Sequence, residues 1–400
     1  MGMVHTGMAE KIGNKTKQSA DTIVTHTGRQ PDKHWGYVNT PVYRGSTIVF
    51  PTLDALESTE PRFDYGRTGN PSSAAVEDCV SELEGAAGTV LSPSGLTAIS
   101  LALLTVLRAG DEVLITDASY QPTRRVSDGL LTRMGVGVRY YDPRIGGGLA
   151  ELVTDKTRAI FVESPGSLTF EIQDLLAIVA LAKPRDIAVI VDNSWATPIH
   201  HNPLALGADI VVHAGTKMFV GHSDAMFGTT SANEKWWKDL KRTHLMLGLC
   251  ASPDDCFLAA RGLRTLALRM REHSAHSIEL ARWLEQQEGV RRVIHPALSS
   301  HPDHALFARD FRGAGSVFSI LLDPKPREAL AAMVDGFGLF SMGWSWGGFE
   351  SLALPIRPER IRTIVKWDEP GPMLRLHIGL EGVDDLRADL AAGLARYRAA

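Results

Sequence analysis

The chain has 400 residues, 44% hydrophobic and 22% charged, which is ordinary globular usage and excludes a disordered, collagen-like or coiled-coil protein. A chain this long is expected to hold two or three domains and to bury roughly three quarters of its unfolded surface without disulfide or metal staples. Its net charge of -4 gives no basic footprint for nucleic acid, and Lys11, Lys15 and Lys17 are too few for a polybasic tail.

Residues 1–70 read as an extended, loop-rich segment with turn residues throughout. The first thirty contain no continuous apolar stretch, so no signal peptide is expected. From about residue 71, short apolar runs alternate with helical stretches. TVLSPSG (89–95), EVLITD (112–117), VGVRYYD (136–142), RAIFVESP (158–165), AVIVDNS (188–194) and DIVVHAGTK (209–217) are near-continuously apolar and rich in β-branched residues. That pattern suits strands buried on both faces. Helices are expected over 95–108, before Gly110, and over 174–183, stopped by Pro184. Strand and helix repeated at this spacing predict an α/β domain over 71–260 with a mostly parallel sheet.

The apolar run 96–107 falls short of the about 20 residues that a membrane span needs. Residues 254–287 read as one long amphipathic helix, straight or kinked, bridging to a smaller α+β domain over 261–400. There VRRVIHP, SVFSILL and MLRLHIGL read as strands, followed by a closing helix from Asp384. Cys79, Cys250 and Cys256 form an odd set without a CxxC pair, so a reducing, cytoplasmic location is expected.

In open α/β sheets, ligands bind beyond the carboxyl ends of the strands. Ser94-Gly95-Leu96 ends a strand and opens a helix. It is either an ordinary turn or a phosphate cup, where backbone can approach closely and free amides meet the helix dipole. No GxGxxG accompanies it, which disfavours a dinucleotide cofactor. Asp192 ends the uncharged strand AVIV. A buried carboxylate there needs a cation or several donors, so it caps the next turn or faces a protonated ring nitrogen. Lys217 follows Gly215 and Thr216; it is an ordinary surface lysine or, desolvated among small residues, a Schiff-base lysine. Arg375, within apolar LRLHIG, needs an anion.

Several other features have plainer readings. His295, His301 and His304 lie in a Pro-rich loop with only Asp303 among them, and no metal site is expected. His273 and His276 read as a solvated helix edge, His200 and His201 as loop residues, and Trp236-Trp237 as a helix-face cluster.

The segments WGYVNTPVYRGSTIVF (35–50), YGRTGNP (65–71), LSPSGLTAI (91–99), ESPGSLTFEIQD (163–174), VDNSWA (191–196), GTKMFVGHSDAM (215–226), FSMGWSWGGFESL (340–352) and LRLHIGLEGVDDL (374–386) stand in one order. Through them the chain resembles the cysteine/methionine-metabolism family of pyridoxal-phosphate (PLP) enzymes, from about residue 20 to 395. The resemblance implies the PLP-dependent transferase-like architecture, fold type I. It implies that Lys217 holds PLP as a Schiff base, Asp192 pairs with the ring nitrogen and Tyr120 stacks over the ring. Gly95, Leu96 and Thr216 would bind the phosphate, with Tyr65 and Arg67 reaching in from a neighbouring subunit. Arg375 would clamp the substrate carboxylate, with Ser345, Trp346 and Tyr120 also lining the substrate site. Lys217 and Tyr120 would be the catalytic groups. A homo-oligomer follows, at least a dimer and often a dimer of dimers.

The chain has Ala214 where many relatives carry serine and Trp344 where the β-eliminating branch carries tyrosine. It has ESPGSL and SWGG where γ-acting relatives tend to carry ESPTNP and SLGG. The resemblance therefore implies β-elimination of L-cystathionine to homocysteine, pyruvate and ammonia; the alternative is a γ-acting lyase, synthase or sulfhydrylase.

Overall fold

The apolar runs become the spine of the protein in a computed structural model that describes residues 18–58 and 62–400; Lys11, Lys15 and Lys17 lie outside the described residues. Strands β1 (Gly88–Ser92), β2 (Glu112–Thr116), β3 (Gly137–Tyr141), β4 (Thr157–Glu163), β5 (Ala188–Asp192) and β6 (Ile210–His213) fall in the six expected segments. They join β7 (Gly228–Ala232) in a sheet ordered β1-β7-β6-β5-β4-β2-β3. The ladders from β6 to β3 are parallel, and β7 runs antiparallel to both its neighbours.

One face of the sheet packs Val113, Ile115, Phe161 and Ile190 against Ile99 and Leu103. The other packs Ile160, Val162, Val189 and Val191 against Leu175 and Ile178. With both faces covered, neither can be polar, which is why the strands show no alternation. Strand β7, GTTSA, escapes the sequence reading because it has no large apolar side chain. Two of its three hydroxyls bond internally instead, Ser231 with Thr89 at 2.8 Å and Thr230 to the Ala98 carbonyl at 3.2 Å.

The segment expected as one helix over 254–287 is two, Pro253–Leu263 and Leu266–Leu284. Gly262 lies against the Phe219 and Val220 carbonyls, where a Cβ would come within 2.3 Å of either. Its own carbonyl accepts from the Thr265 amide at 3.2 Å and from Arg269 Nη2 at 2.8 Å, so a tight three-residue bond and side-chain capture together replace the continuing helical bond. The second helix lies between cores on both sides. His273 is consequently fully buried, with Nδ1 2.9 Å from the Ile378 carbonyl, and is not a solvated edge. His200 and His201 are also buried, against the Met270 carbonyl and Asn193 respectively. An antiparallel sheet, β10-β11-β9-β8, follows. It comprises β8 (Val290–Ile294), β9 (Val317–Leu322), β10 (Leu352–Ile356) and β11 (Met373–His377). Phe318, Ile320, Leu374 and Leu376 pack there with Leu386 and Leu390 of the closing helix Val383–Ala399.

Asp117, just past β2, ties the two sheets together. Its buried carboxylate accepts from Arg124 Nη1 at 3.0 Å, Arg362 Nε at 3.0 Å, the Thr363 hydroxyl at 2.8 Å and the amides of Thr363, Ile364 and Val365. Arg362 continues to Glu171 at 2.7 Å and Thr169 at 2.8 Å. Burial alone would raise the Asp117 pKa, but the Val365 and Thr363 bonds and Arg362 outweigh it and hold it at about 2. Such a depressed carboxylate stabilises the fold above its unfolded pKa, and that contribution is lost as pH falls toward 2. Asp117→Asn leaves buried Arg124 without its carboxylate and Arg362 with Glu171 alone, and is expected to cost about 3 kcal/mol in urea unfolding at neutral pH. The gap from the parent should close between about pH 4 and pH 2, as the parent carboxylate is itself protonated.

Candidate active site

The carboxyl ends of β4, β5 and β6 converge at the edge where the second sheet meets the first. Asp192, 8% exposed, ends β5 and accepts from the Ser194 amide at 2.9 Å. Ser194 Oγ in turn accepts from the Ala214 amide at 2.7 Å. That bond fastens the end of β5 to the turn that presents Lys217. Gly215 is required in this turn because a Cβ would stand 2.5 Å from the Phe227 ring. Lys217 Nζ donates to Ser345 Oγ at 2.7 Å and lies 5.2 Å from the Trp346 ring centre. The loop 343–348 rests directly on the lysine's main chain. Gly347, at φ +89°, would place a Cβ 2.9 Å from Lys217 Cα. Arg375 on β11 holds this loop from behind, donating to the Gly343, Trp344 and Ser345 carbonyls at 3.3, 3.1 and 3.0 Å.

Burial governs the charges. It lowers the Lys217 pKa to about 8, helped by Arg375 and opposed by Asp192. It lowers Arg375 to about 10. It raises Asp192 against the bonds from Ser194 and the influence of His213 and Lys217. Glu163, the register partner of Asp192, is driven well above the carboxylate range by burial and then by Asp192, although the Tyr120 amide donates to it at 2.7 Å. Tyr120 is raised by burial and Glu163, with Arg375 opposing. Among the described residues, no cation lies within ion-pair distance of Asp192 and no carboxylate within that distance of Arg375. Two buried groups of opposite charge thus face one site with no protein counter-ion. A ligand with a protonated ring nitrogen satisfies the first, and a substrate carboxylate the second.

A profile of the Cys/Met metabolism PLP-dependent enzymes matches residues 21–395. The chain belongs to this family. The cystathionine beta-lyase of Escherichia coli K12 is 40% identical, covering 94% of this chain and 98% of its own. A protein of Wolbachia pipientis wMel named L-alanine/L-glutamate racemase is 38% identical over 94% and 97% of the two chains. The crystal structure of cystathionine gamma synthase from Xanthomonas oryzae pv. oryzae superposes with a TM-score of 0.89 at 32% identity, covering 96% and 99%. The mostly parallel sheet with flanking helices and a smaller antiparallel sheet is accordingly the PLP-dependent fold type I, and the cofactor is PLP. The residues present fit it, because the uncompensated carboxylate of Asp192 matches a pyridinium and Lys217 is close to losing its proton.

The structure gathers Lys217, Asp192, Tyr120, Arg375, Ser345 and Trp346 around this one site. Gly95 packs on Ala214, where a Cβ would meet Ala214 Cβ at 2.6 Å, so the first turn of helix Gly95–Val106 abuts the lysine turn. The amides of Gly95 and Leu96 precede the first possible i-4 acceptor and are free for a phosphate. The Thr216 hydroxyl is already engaged, donating to the Phe227 carbonyl at 3.1 Å and accepting its amide at 2.8 Å. Tyr65 and Arg67 stand apart at the surface: Arg67 donates to the Leu245 carbonyl at 3.3 Å, its guanidinium 5.7 Å from the Tyr65 ring. No hydrogen bond or ion pair among the described residues links either to the Lys217 cluster. The sequence reading passed over Glu163 and Ser194. Glu163 had the same signal as Asp192, a carboxylate ending an apolar strand; Ser194 had none beyond its place in VDNSWA.

Only the neutral amine of Lys217 can condense with an aldehyde. Capture of PLP by the cofactor-free protein should therefore accelerate with a midpoint near pH 8 rather than in the range of an ordinary lysine. Asp192→Asn, which removes an influence raising the lysine, should move that midpoint lower. Borohydride trapping followed by peptide mass spectrometry reads both the rate and the residue labelled.

Proposed function

We propose that the protein is a PLP-dependent carbon–sulfur lyase that cleaves L-cystathionine by β-elimination, releasing homocysteine, pyruvate and ammonia. The observation that carries this reading is Lys217 held at the junction of the unpaired Asp192 and Arg375, in a chain similar along nearly its whole length to a cystathionine beta-lyase. The bound PLP supplies an electron sink for the carbon that bears the substrate's amino group. Asp192 would hold the ring nitrogen, Tyr120 would lie against the ring, and Gly95, Leu96 and Thr216 would bind the phosphate. For Thr216 this requires its hydroxyl to turn from Phe227. Arg375 fixes the α-carboxylate with its planar fork, beside Ser345 and Trp346. Lys217, near pH 8 partly neutral, takes the Cα proton, and Lys217 or Tyr120 returns a proton to the departing sulfur. Ser345 directs the free amine before the cofactor is captured.

The same reading divides the chain near residues 70 and 260 and places it in the cytoplasm; among the described residues no helix is long and apolar enough to cross a membrane. It makes the chain a homo-oligomer, at least a dimer and by family habit a dimer of dimers, in which Tyr65 and Arg67 complete a neighbour's phosphate site. That no hydrogen bond or ion pair among the described residues joins them to the Lys217 cluster supports this, as do Trp35, Tyr37 and Val49, which are 91%, 71% and 86% exposed in the single chain.

Incubation with L-cystathionine and mass spectrometry of the products tests the activity. Pyruvate with homocysteine is expected, and Lys217→Ala should abolish it while leaving residual PLP binding. 2-Oxobutyrate with cysteine would move the chain to the γ-acting branch. Exchange of the α-hydrogen with no keto acid would make it a racemase.

Mixing tests the assembly. Arg67→Ala and Lys217→Ala should each be nearly inactive. After reassembly together they should recover about a quarter of parental activity, because half the dimers are mixed and each carries one intact site. Absence of recovery in verified mixed dimers would place Arg67 in its own subunit's site.

A further inference from the structure

His377, the last residue of β11, lies two positions beyond Arg375, so both side chains share one face of the strand. Its imidazole is fully buried and takes no part in the chemistry above. The Gly347 amide approaches Nε2 at 3.1 Å. A backbone amide can only donate, so Nε2 carries the lone pair and the ring proton sits on Nδ1. That proton goes to Ser316 Oγ at 2.8 Å. The Gly348 carbonyl, 3.2 Å from the same Nε2, then receives no proton from it. Protonating Nε2 would set two N–H groups against each other. Burial, the His273 ring at 5.7 Å, Arg375 and Lys217 all keep the imidazole neutral, its pKa well below the usual range despite the Gly348 carbonyl.

The loop 343–348 therefore hangs from β11 at two points. Arg375 gathers three carbonyls at its beginning, and His377 takes the amide of Gly347, the residue that rests on the lysine. We propose that His377 is a positioning residue whose neutral Nδ1–H form fixes the loop 343–348, so that Ser345 meets Lys217 and Arg375 stays aimed at the substrate carboxylate. Only the kinetic part of this proposal rests on the lyase reading. The structural part concerns the loop itself and is measurable without substrate.

Amide hydrogen exchange of the purified protein, read on peptides spanning 343–350, tests the structural part, and kcat/KM tests the kinetic one. In His377→Leu, exchange in this segment should rise about tenfold and kcat/KM should fall on the order of 10²-fold, the loss expected of a misplaced reacting group. His377→Gln, which can again offer an acceptor to the Gly347 amide, should recover most of both. Ser316→Ala, which removes only the partner of Nδ1, should show the same local rise in milder form and decides the matter if His377→Leu does not fold. Parental exchange over 343–350 in either folded variant overturns the proposal. So does a rise spread evenly over the chain, or a local rise with kcat/KM unchanged. If cystathionine proves the wrong substrate, the exchange result still stands or falls by itself.

Discussion

A carboxylate buried at the end of a central strand, with no cation beside it, is the constraint around which the site is built. Desolvating such a group is expensive, and the protein offers Asp192 only the amide and hydroxyl of Ser194 and the distant influence of His213 and Lys217. The strand ends that create this burial also desolvate Lys217 and bring its pKa near 8. One geometric fact, convergence of apolar strands at a covered sheet edge, thus produces both an acid that wants a pyridinium and an amine that yields its proton readily. Arg375 completes the set from the other sheet, with carbonyl oxygens for company and no carboxylate.

That second sheet makes the site a joint product of two cores. The Asp117 network anchors the end of β2, and with it the approach to Tyr120, to residues 362–365 beyond β10. The loop 343–348 reaches the other way and lies on Lys217. The C-terminal part thus orders two side chains of the proposed site that the N-terminal part supplies, Tyr120 through Asp117 and Lys217 through the loop, and loosening either contact would be felt there without a mutated side chain touching substrate.

The architecture was legible where apolar runs were long enough to demand burial. Six strands and the two-part layout could be read from β-branched runs and turn residues alone. Strand β7 could not, because it carries no large apolar side chain, and the partners of its Thr230 and Ser231 hydroxyls are far away in sequence. The break at Arg264–Thr265 was hidden for the same reason: it depends on Arg269 folding back onto Gly262. For the site, residue type and strand-end position sufficed to nominate Asp192 and Lys217. The phosphate, subunit and substrate roles came from resemblance. His273 was misread because periodicity reveals which residues share a helix face but not how many faces are covered.

Strand β7 also fixes when the site can come into being. It pairs Gly88 of β1 with Ala232, and Val211 and Val212 of β6 with Ser231 and Thr230. The glycine cup at residue 95 and the lysine turn at 217 therefore acquire their mutual register only after the chain beyond residue 232 has been made. Arg375 comes later still. Contacts this far apart in sequence close slowly, since loop entropy must be overcome before they form. A nascent chain emerging from the ribosome would thus carry the turn at 95 and the turn at 217 for some time before the pairing that sets one against the other could form.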